Sequence, residues 1–234
     1  WFNPAPQLVK ELEAHLSWIC KTSPPTDCIG MANGIAKARG LKPENILPGS
    51  GSSDLIFLAF REWLIPESRV LILDPTYGEY FHVLENIIGC QVDRINLLKA
   101  NNYTLDLEEL LRLAKNNYDL IVIVNPNSPT GQHIPLTNLE NTLRQVAPST
   151  RIWVDETYID YCGKDQSLEK FAVSTSNIIV CKSMSKVYAL SGLRAAYLCA
   201  SPFQLEKLRS ISPPWAVSLP AQIAALVALN EDRY

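Results

Sequence analysis

The sequence lacks a run of basic residues and lacks an apolar run long enough to cross a bilayer. Its 234 residues carry 21 Lys and Arg against 24 Asp and Glu, a formal net charge of −3. This balance argues against a nucleic-acid-binding surface, which needs clustered cations. The longest apolar stretches, such as LIVIV at 120–124, are far shorter than the roughly 20 residues of a transmembrane helix. The opening stretch WFNPAPQLVKELEAHL has Glu and Pro where a signal peptide has its apolar core, so we expect a cytoplasmic protein.

Residues that bind metals or form disulfides are also few. The only histidines are His15, His82 and His133, and no two of them have the spacing of zinc ligands. The six cysteines are scattered without a CxxC pair, which indicates reduced thiols, with zinc ligation as the alternative. Because 47% of the residues are hydrophobic, the chain can build a substantial core without disulfide or metal staples.

Short apolar runs alternate with segments of helical periodicity. Strands are predicted at 69–74, 90–96, 120–125, 151–156, 177–182 and 195–200. Helices are predicted at 52–64, 78–88, 106–117, 136–146 and 219–230. This alternation is typical of a three-layer α/β/α fold with a mostly parallel sheet, covered by helices on both faces. Such sheets bind their ligands at the carboxyl ends of the strands, so the polar residues that follow the predicted strands are candidate site residues.

The segment LPGSGSSDLIF, residues 47–57, is a candidate anion site. Its glycines and serines open a predicted helix, so Gly51, Ser52 and Ser53 would present backbone N–H groups to an anion. Ordinary helix capping is one alternative. A dinucleotide-binding loop is another, although Asp54 stands where the third glycine of that motif belongs.

The segment CKSMSKVYALSGLRAAY combines anion donors with an amine. The donors are Ser183, Ser185 and Arg194, and an arginine can bind phosphate through two nitrogens. Lys186 lies among them, where a neighbouring cation and partial burial would favour the neutral amine that Schiff-base chemistry requires. Lys182 is expected to face the solvent.

The segment WVDETYIDY places a carboxylate after an apolar strand. Asp155 is therefore expected to be buried, which is costly unless the group is paired with a cation or with strong donors. No Lys or Arg lies nearby in the sequence, and a cationic heterocycle nitrogen would serve as the partner. Tyr158, three residues on, could reach the same ligand.

Two further segments follow predicted strands. In DPTYGEY, the ring of Tyr77 could stack on a flat heterocycle or could simply pack on the domain. In NPNSPTG, residues 125–131, two prolines and a glycine predict a rigid loop that holds its polar side chains towards the strand ends.

Together these motifs resemble those of the fold-type I pyridoxal-5′-phosphate (PLP) enzymes, specifically the class I/II aminotransferase family. The similarity is to the branch of histidinol-phosphate aminotransferases and threonine-phosphate decarboxylases. It covers nearly the whole chain through GSGSSD, DPTYGEY, NPNSPTG, VDETY and SMSKVYALSGLR, in that order. It implies a homodimeric enzyme that moves an amino group between an amino acid or amino-phosphate and a 2-oxo acid. A threonine-phosphate-type decarboxylase and a non-catalytic PLP-binding domain are the alternatives.

The resemblance also implies a role for each candidate residue. Lys186 would form the internal aldimine and shuttle a proton, Asp155 would pair with the pyridinium nitrogen, and Tyr158 would donate to the phenolic oxygen. Tyr77 would stack on the ring. The phosphate would be held by Ser52, Ser53, Ser183, Ser185 and Arg194. Relatives usually carry Asn directly before Pro-Thr-Gly as a further contact to the phenolic oxygen, and here either Asn127 or Ser128 would make it.

The resemblance implies a division of the chain as well. Residues 1–26 would belong to a small domain or interface, and residues 27–234 would form the PLP-binding large domain, ending in the interdomain helix at 219–230. The small C-terminal domain, which carries the arginine for the substrate carboxylate, would lie beyond residue 234. Ser23 stands where relatives commonly carry a tyrosine that reaches the partner subunit's cofactor.

Overall fold

The apolar runs of the sequence form one central sheet in the computed structural model, which describes residues 3–231. The strands found there are β1 (Ile46–Gly49), β2 (Arg69–Asp74), β3 (Gln91–Asn96), β4 (Leu120–Val124), β5 (Arg151–Asp155), β6 (Ile178–Ser183) and β7 (Ala196–Cys199). Their order across the sheet is β1-β7-β6-β5-β4-β2-β3. The strands from β6 to β3 are parallel, whereas β7 is antiparallel to both β6 and β1. The predicted fold with a mostly parallel sheet is confirmed.

Helices cover both faces of the sheet. They are α1 (Pro6–Lys21), α2 (Ile29–Arg39), α3 (Ser52–Trp63), α4 (Gly78–Phe81, continued by a π-helical segment at His82–Ile88), α5 (Leu107–Ala114), α6 (Leu136–Leu143), α7 (Glu169–Ala172), α8 (Pro202–Ile211) and α9 (Leu219–Leu229). Residues of α3, α4 and α8 pack on one face, and those of α1, α2, α5, α6, α7 and α9 pack on the other. Alternate residues of β4 enter opposite cores, Ile121 and Ile123 on one face and Val122 and Val124 on the other. This two-sided burial explains the continuous apolar run LIVIV.

The predicted strands and helices are all present within residues 3–231, with ends displaced by at most three residues. Five of the elements named above were not predicted: β1, α1, α2, α7 and α8. Strand β1 is only four residues long and contains Pro48 and Gly49, which are both rare in strands. Helix α2 contains two glycines, which lower its intrinsic helix propensity. Among the described helices, none is long and apolar enough to span a membrane.

The topology gathers the carboxyl ends of several strands at one edge of the sheet. Val124, Asp155 and Ser183 end the parallel strands β4, β5 and β6 there. Gly49 ends β1 at the same edge, because β1 and β6 are both antiparallel to β7. The loops that carry the predicted motifs therefore start from neighbouring points.

The prediction that Lys182 faces the solvent is wrong. Its side chain is 4% exposed, and its Nζ lies 3.1 Å from Asp160 Oδ1 and 3.6 Å from Glu169 Oε2. Arg39 of α2 binds the same Asp160 through two nitrogens, at 2.8 and 3.2 Å. Glu156 Oε2 lies 3.8 Å from Lys182. We call these five residues the buried charge cluster.

The buried charge cluster depends on mutual pairing. Burial by itself raises the pKa of Asp160, but Lys182 and Arg39 outweigh it and lower that pKa to about 2. For Glu156 burial is the larger effect, and it raises the pKa to about 7 although Lys182 opposes it. The cluster joins α2 to the ends of β5 and β6, so it braces the sheet edge from the face opposite α3.

We expect Lys182→Met to lower the free energy of unfolding by about 3–5 kcal/mol, because the substitution leaves three buried carboxylates beside a single cation. The matched control is Lys207→Met, since Lys207 is 64% exposed and only 3.7 Å from Glu62. Lys207→Met should lower the free energy of unfolding by less than about 1 kcal/mol. Urea denaturation of both variants at neutral pH measures the difference. Equal losses in the two variants would contradict a stabilising role for the cluster.

Candidate active site

A cleft opens at the carboxyl edge of the sheet, between the ends of β1, β4, β5 and β6. It is lined by Ser52, Ser53, Tyr77, Val124, Ser128, Asp155, Thr157, Tyr158, Ser183, Ser185, Lys186, Ser191 and Arg194. The structure therefore brings together every predicted site residue except Asn127. Val124, Thr157 and Ser191 line the cleft without having been predicted. Thr157 lies between two predicted residues and Ser191 lies in the same loop as Arg194, so proximity in sequence was the available signal.

Asp155 forms the floor of the cleft and is 4% exposed, as expected from its place after an apolar strand. Its Oδ1 accepts hydrogen bonds from the backbone N–H of Thr157 at 2.9 Å and from the Thr157 hydroxyl at 2.6 Å. Its Oδ2 accepts a hydrogen bond from the Tyr80 hydroxyl at 2.7 Å. Burial is the largest effect and keeps the pKa of Asp155 above its ordinary value, whereas the bonds from Thr157 and Tyr80 lower it. These donors favour the ionised carboxylate inside the protein.

Gly51 and Arg194 form a cradle beside the first turn of α3. Gly51 has φ of +88°, and a Cβ added there would lie 2.3 Å from Arg194 Nη2, so the guanidinium packs directly on the glycine. Arg194 itself has φ of +61°, a conformation that costs a non-glycine residue roughly 1–3 kcal/mol. Its Nη1 donates to the carbonyl of Ser191 at 3.2 Å. The cradle thus combines a cation with the N–H groups that a helix N-terminus offers to an anion.

The two predicted phosphate-binding serines of α3 differ in what they offer. The hydroxyl of Ser53 donates to Glu79 Oε2 at 2.9 Å. Its single hydrogen is therefore engaged, and Ser53 would serve an anion through its backbone N–H. Ser52 lines the same end of the cleft as the first residue of α3.

Lys186 lies in the turn that follows β6 and lines the cleft. The backbone N–H of Met184 donates to Ala195 at 3.0 Å and its carbonyl accepts from Leu190 at 3.3 Å, which ties the turn to the start of β7. Ser185 is buried, whereas Lys186 is exposed. Of the two neighbouring lysines, Lys186 faces the cleft and Lys182 faces the buried charge cluster.

Two tyrosine rings border the cleft. Tyr77 is 41% exposed, and burial together with a hydrogen bond to Glu79 raises its pKa to about 12. It therefore carries a neutral hydroxyl near pH 7, and its ring is available for stacking. Tyr158 stacks against Tyr161, with the ring centroids 6.4 Å apart.

The two candidate polar contacts in the NPNSPTG loop, Asn127 and Ser128, have different surroundings. Asn127 is 4% exposed, and its amide nitrogen donates to Pro75 O at 2.9 Å and to Thr130 Oγ1 at 3.0 Å. Its side-chain oxygen accepts from the Thr76 hydroxyl at 3.2 Å. The Asn127 side chain is thus engaged by its own loop and by the neighbouring loop at Pro75 and Thr76, whereas Ser128 lines the cleft.

The cleft therefore combines an anion cradle, a buried carboxylate, an exposed amine and a stacking ring. Residues 3–231 contain no comparable set of metal ligands, since no three or more His, Cys, Asp or Glu among them are placed to hold a metal ion. All six cysteines are unpaired, with Cys20 and Cys162 exposed and the other four buried. The arrangement suits a flat, anionic, nitrogen-containing ligand that reacts with an amine.

Comparison with known proteins agrees with this geometry. The family model "Aminotransferase class I and II" matches residues 4–233. A histidinol-phosphate aminotransferase from Moorella thermoacetica is 29% identical over 235 residues, which cover 99% of this chain and 60% of that protein. A histidinol-phosphate aminotransferase from Sinorhizobium meliloti, solved in complex with pyridoxal-5′-phosphate, superimposes with a TM-score of 0.90 at 22% identity and covers 98% of this chain and 62% of that one. An L-threonine-O-3-phosphate decarboxylase from Porphyromonas gingivalis gives a TM-score of 0.82 at 23% identity, covering 98% of this chain and 69% of that one.

The chain spans about 60% of the length of the Moorella relative. The two structural similarities, both below 25% identity, describe the fold. The family match is independent of them and extends over almost every residue of the chain. This chain belongs to the class I and II aminotransferase family.

Proposed function

We propose that this protein binds PLP covalently through Lys186 and transfers an amino group between an amino acid or amino-phosphate and a 2-oxo acid. Class I and II aminotransferases depend on PLP. The observation that carries the proposal is that Asp155, Lys186 and the Gly51–Arg194 cradle line one cleft. These are the groups that a pyridine nitrogen, an aldehyde and a phosphate need from a protein.

The fit of PLP to the cleft rests on the chemistry of its donors. The cradle would hold the phosphate through Arg194, the first-turn N–H groups of Ser52 and Ser53, and the serine hydroxyls. Those hydroxyls belong to Ser52, Ser183 and Ser185. The glycine at position 51 supports this assignment, because a Cβ there would clash with the Arg194 guanidinium. Asp155 would accept a hydrogen bond from the protonated ring nitrogen, and Tyr158 and Ser128 would contact the phenolic oxygen.

When bound, PLP supplies an electron sink for the bond that breaks at the substrate Cα. The protein residues do the rest. Asp155, with its hydrogen-bond donors and the cationic ring as partner, would stay ionised and keep the ring nitrogen protonated. Lys186 would anchor the aldehyde carbon and, once the substrate amine has replaced it, would move a proton at the substrate Cα. Tyr77 would fix the ring plane by stacking on it.

The substrate class is proposed from the relatives. A histidinol-phosphate aminotransferase is 29% identical over nearly the whole chain, which favours an amino-phosphate or amino acid donor over other amines. The family resemblance implies a 2-oxo acid as the acceptor and a homodimer as the assembly. A threonine-phosphate-type decarboxylase is the second candidate. In this chain the GEY motif after Tyr77 and the segment 212–227 resemble the corresponding parts of that decarboxylase.

The covalent link is tested by reduction with borohydride. After incubation with PLP and reduction, peptide mass mapping should find the pyridoxyl group on Lys186, because this amine lines the cleft. Lys186→Ala is the control and should take up no label. Pyridoxyl on Lys182 in the native protein, or no label at all, would reject the proposal.

The cradle is tested by Gly51→Ala. A Cβ there meets the guanidinium of Arg194 and strains a backbone with φ of +88°, so we expect PLP affinity to fall about tenfold or more, the loss of one hydrogen bond to a charged group. Gly30→Ala is the matched control, since a Cβ at Gly30 meets nothing within 4 Å. Absorbance titration with PLP measures both. If the two variants bind PLP equally well, the phosphate does not lie in this cradle.

The reaction is tested on the natural full-length translation product. Phosphorylated and plain amino acids incubated with 2-oxoglutarate should yield glutamate, and Lys186→Ala should lower the rate at least about a hundredfold. Release of carbon dioxide without glutamate would assign the decarboxylase instead. Pyridoxyl on Lys186 without either product from any donor would leave a non-catalytic PLP-binding protein.

A further inference from the structure

A tyrosine that does not line the cleft is bonded to the carboxylate at its floor. Tyr80 is completely buried, and its hydroxyl donates to Asp155 Oδ2 at 2.7 Å. The same hydroxyl accepts a hydrogen bond from Trp153 Nε1 at 2.8 Å. Trp153 is also completely buried, in contact with Phe60 at a ring-centroid distance of 5.1 Å. The three polar groups therefore form a short chain behind the cleft.

The Trp153 N–H fixes the direction of the first hydrogen bond and leaves the Tyr80 hydrogen directed at Asp155. An indole nitrogen can only donate, so Trp153 gives its hydrogen to the oxygen of Tyr80. Tyr80 has one hydroxyl hydrogen, and that hydrogen points to Asp155 Oδ2. On the other carboxylate oxygen, the backbone N–H of Thr157 is likewise a donor only, at 2.9 Å. Both oxygens of Asp155 thus act as acceptors, which is the pattern of an ionised carboxylate.

The other groups around Asp155 do not supply this stabilisation. Burial raises the pKa of Asp155 most, and the carboxylate of Glu79 raises it further. Cys181 faces Asp155 across the β5–β6 pairing, and burial raises the pKa of its thiol well above the ordinary value. Tyr77, with a pKa of about 12, is also neutral near pH 7. The hydrogen bonds from Thr157 and Tyr80 act in the opposite direction, towards the ionised form.

We propose that Tyr80 is a positioning residue, which holds Asp155 ionised and aimed into the cleft so that it keeps a bound ring nitrogen protonated. This inference rests on the proposed function, because the ring nitrogen belongs to PLP. Trp153 acts one step further back by committing the Tyr80 hydrogen to Asp155. Tyr77 is the N-cap residue of the short helix that carries Tyr80, and the two rings lie 6.0 Å apart. The same short segment would therefore place both the stacking ring and the carboxylate's donor.

The first test needs no cofactor. In protein labelled with ¹³C at the aspartate carboxyls, with Asp155→Asn to assign the signal, Tyr80→Phe should raise the pKa of Asp155 by about one unit or more, the effect of losing one hydrogen bond to a charged group. Replacement of Tyr80 by 3-fluorotyrosine should lower it, because the more acidic phenol is a stronger donor. The fluorinated side chain keeps its size and partners, so it remains informative if Tyr80→Phe does not fold.

The second test uses PLP labelled with ¹⁵N at the ring nitrogen. In Tyr80→Phe the ring nitrogen should lose its proton at a lower pH than in the native protein, and PLP affinity should fall about tenfold. A purely structural role for Tyr80 would lower the melting temperature without moving either titration.

Tyr197→Phe is the matched control. Tyr197 is equally buried, its hydroxyl donates to Glu169 at 2.8 Å, and it accepts from Arg39 Nε at 3.1 Å. This variant should cost stability in the same way and leave the Asp155 and ring-nitrogen titrations unchanged. Identical Asp155 titrations in Tyr80→Phe, the 3-fluorotyrosine protein and the native protein overturn the inference. Absence of pyridoxyl on Lys186 of the native protein overturns the proposed function instead, while the carboxyl titration still decides whether Tyr80 holds Asp155 ionised.

Discussion

The burial of one carboxylate, Asp155, constrains the architecture of the cleft. An ionised carboxylate removed from water is strongly destabilised unless donors or a cation replace its hydration. Here Thr157 and Tyr80 supply the donors, and both must be brought to the end of β5 by the fold. A cationic ligand nitrogen can supply the remaining stabilisation of the carboxylate. A site that stabilises its own acid only in part is suited to bind such a nitrogen and to keep it protonated.

The same strand ends carry a second set of charges on the opposite face of the sheet. Successive residues of a strand point to opposite faces, so Ser183 faces the cleft and Lys182 faces the buried charge cluster. The cluster holds two cations and three carboxylates. Because burial raises the pKa of Glu156 to about 7, this carboxyl is partly protonated near neutral pH, which reduces the excess of negative charge in the cluster.

The sequence predicted the parts of the site that lie in continuous motifs. Asp155 and Lys186 were found because each breaks an apolar pattern at the end of a strand, where ligands bind. The role of Tyr80 was not predicted, because its partners Trp153 and Asp155 lie more than seventy positions away. Asn127 and Ser128 could not be separated either, since the bonds of Asn127 to Pro75 and Thr76 cross between two loops. Lys182 was misplaced for the same reason: its carboxylate partners are distant in the chain.

The sequence by itself determined most of the strands and helices, the two-sided burial of the sheet and the list of chemically capable side chains. These properties follow from local periodicity and residue type, which act over a few positions. Only the tertiary structure decided which of those side chains share a cleft, which lysine faces it, and which donors hold the buried acid. Burial and hydrogen bonding of charged groups depend on distances of about 3 Å between residues from separate strands and loops. Such distances are set when the strands and loops assemble around the sheet, and no local pattern in the chain encodes them.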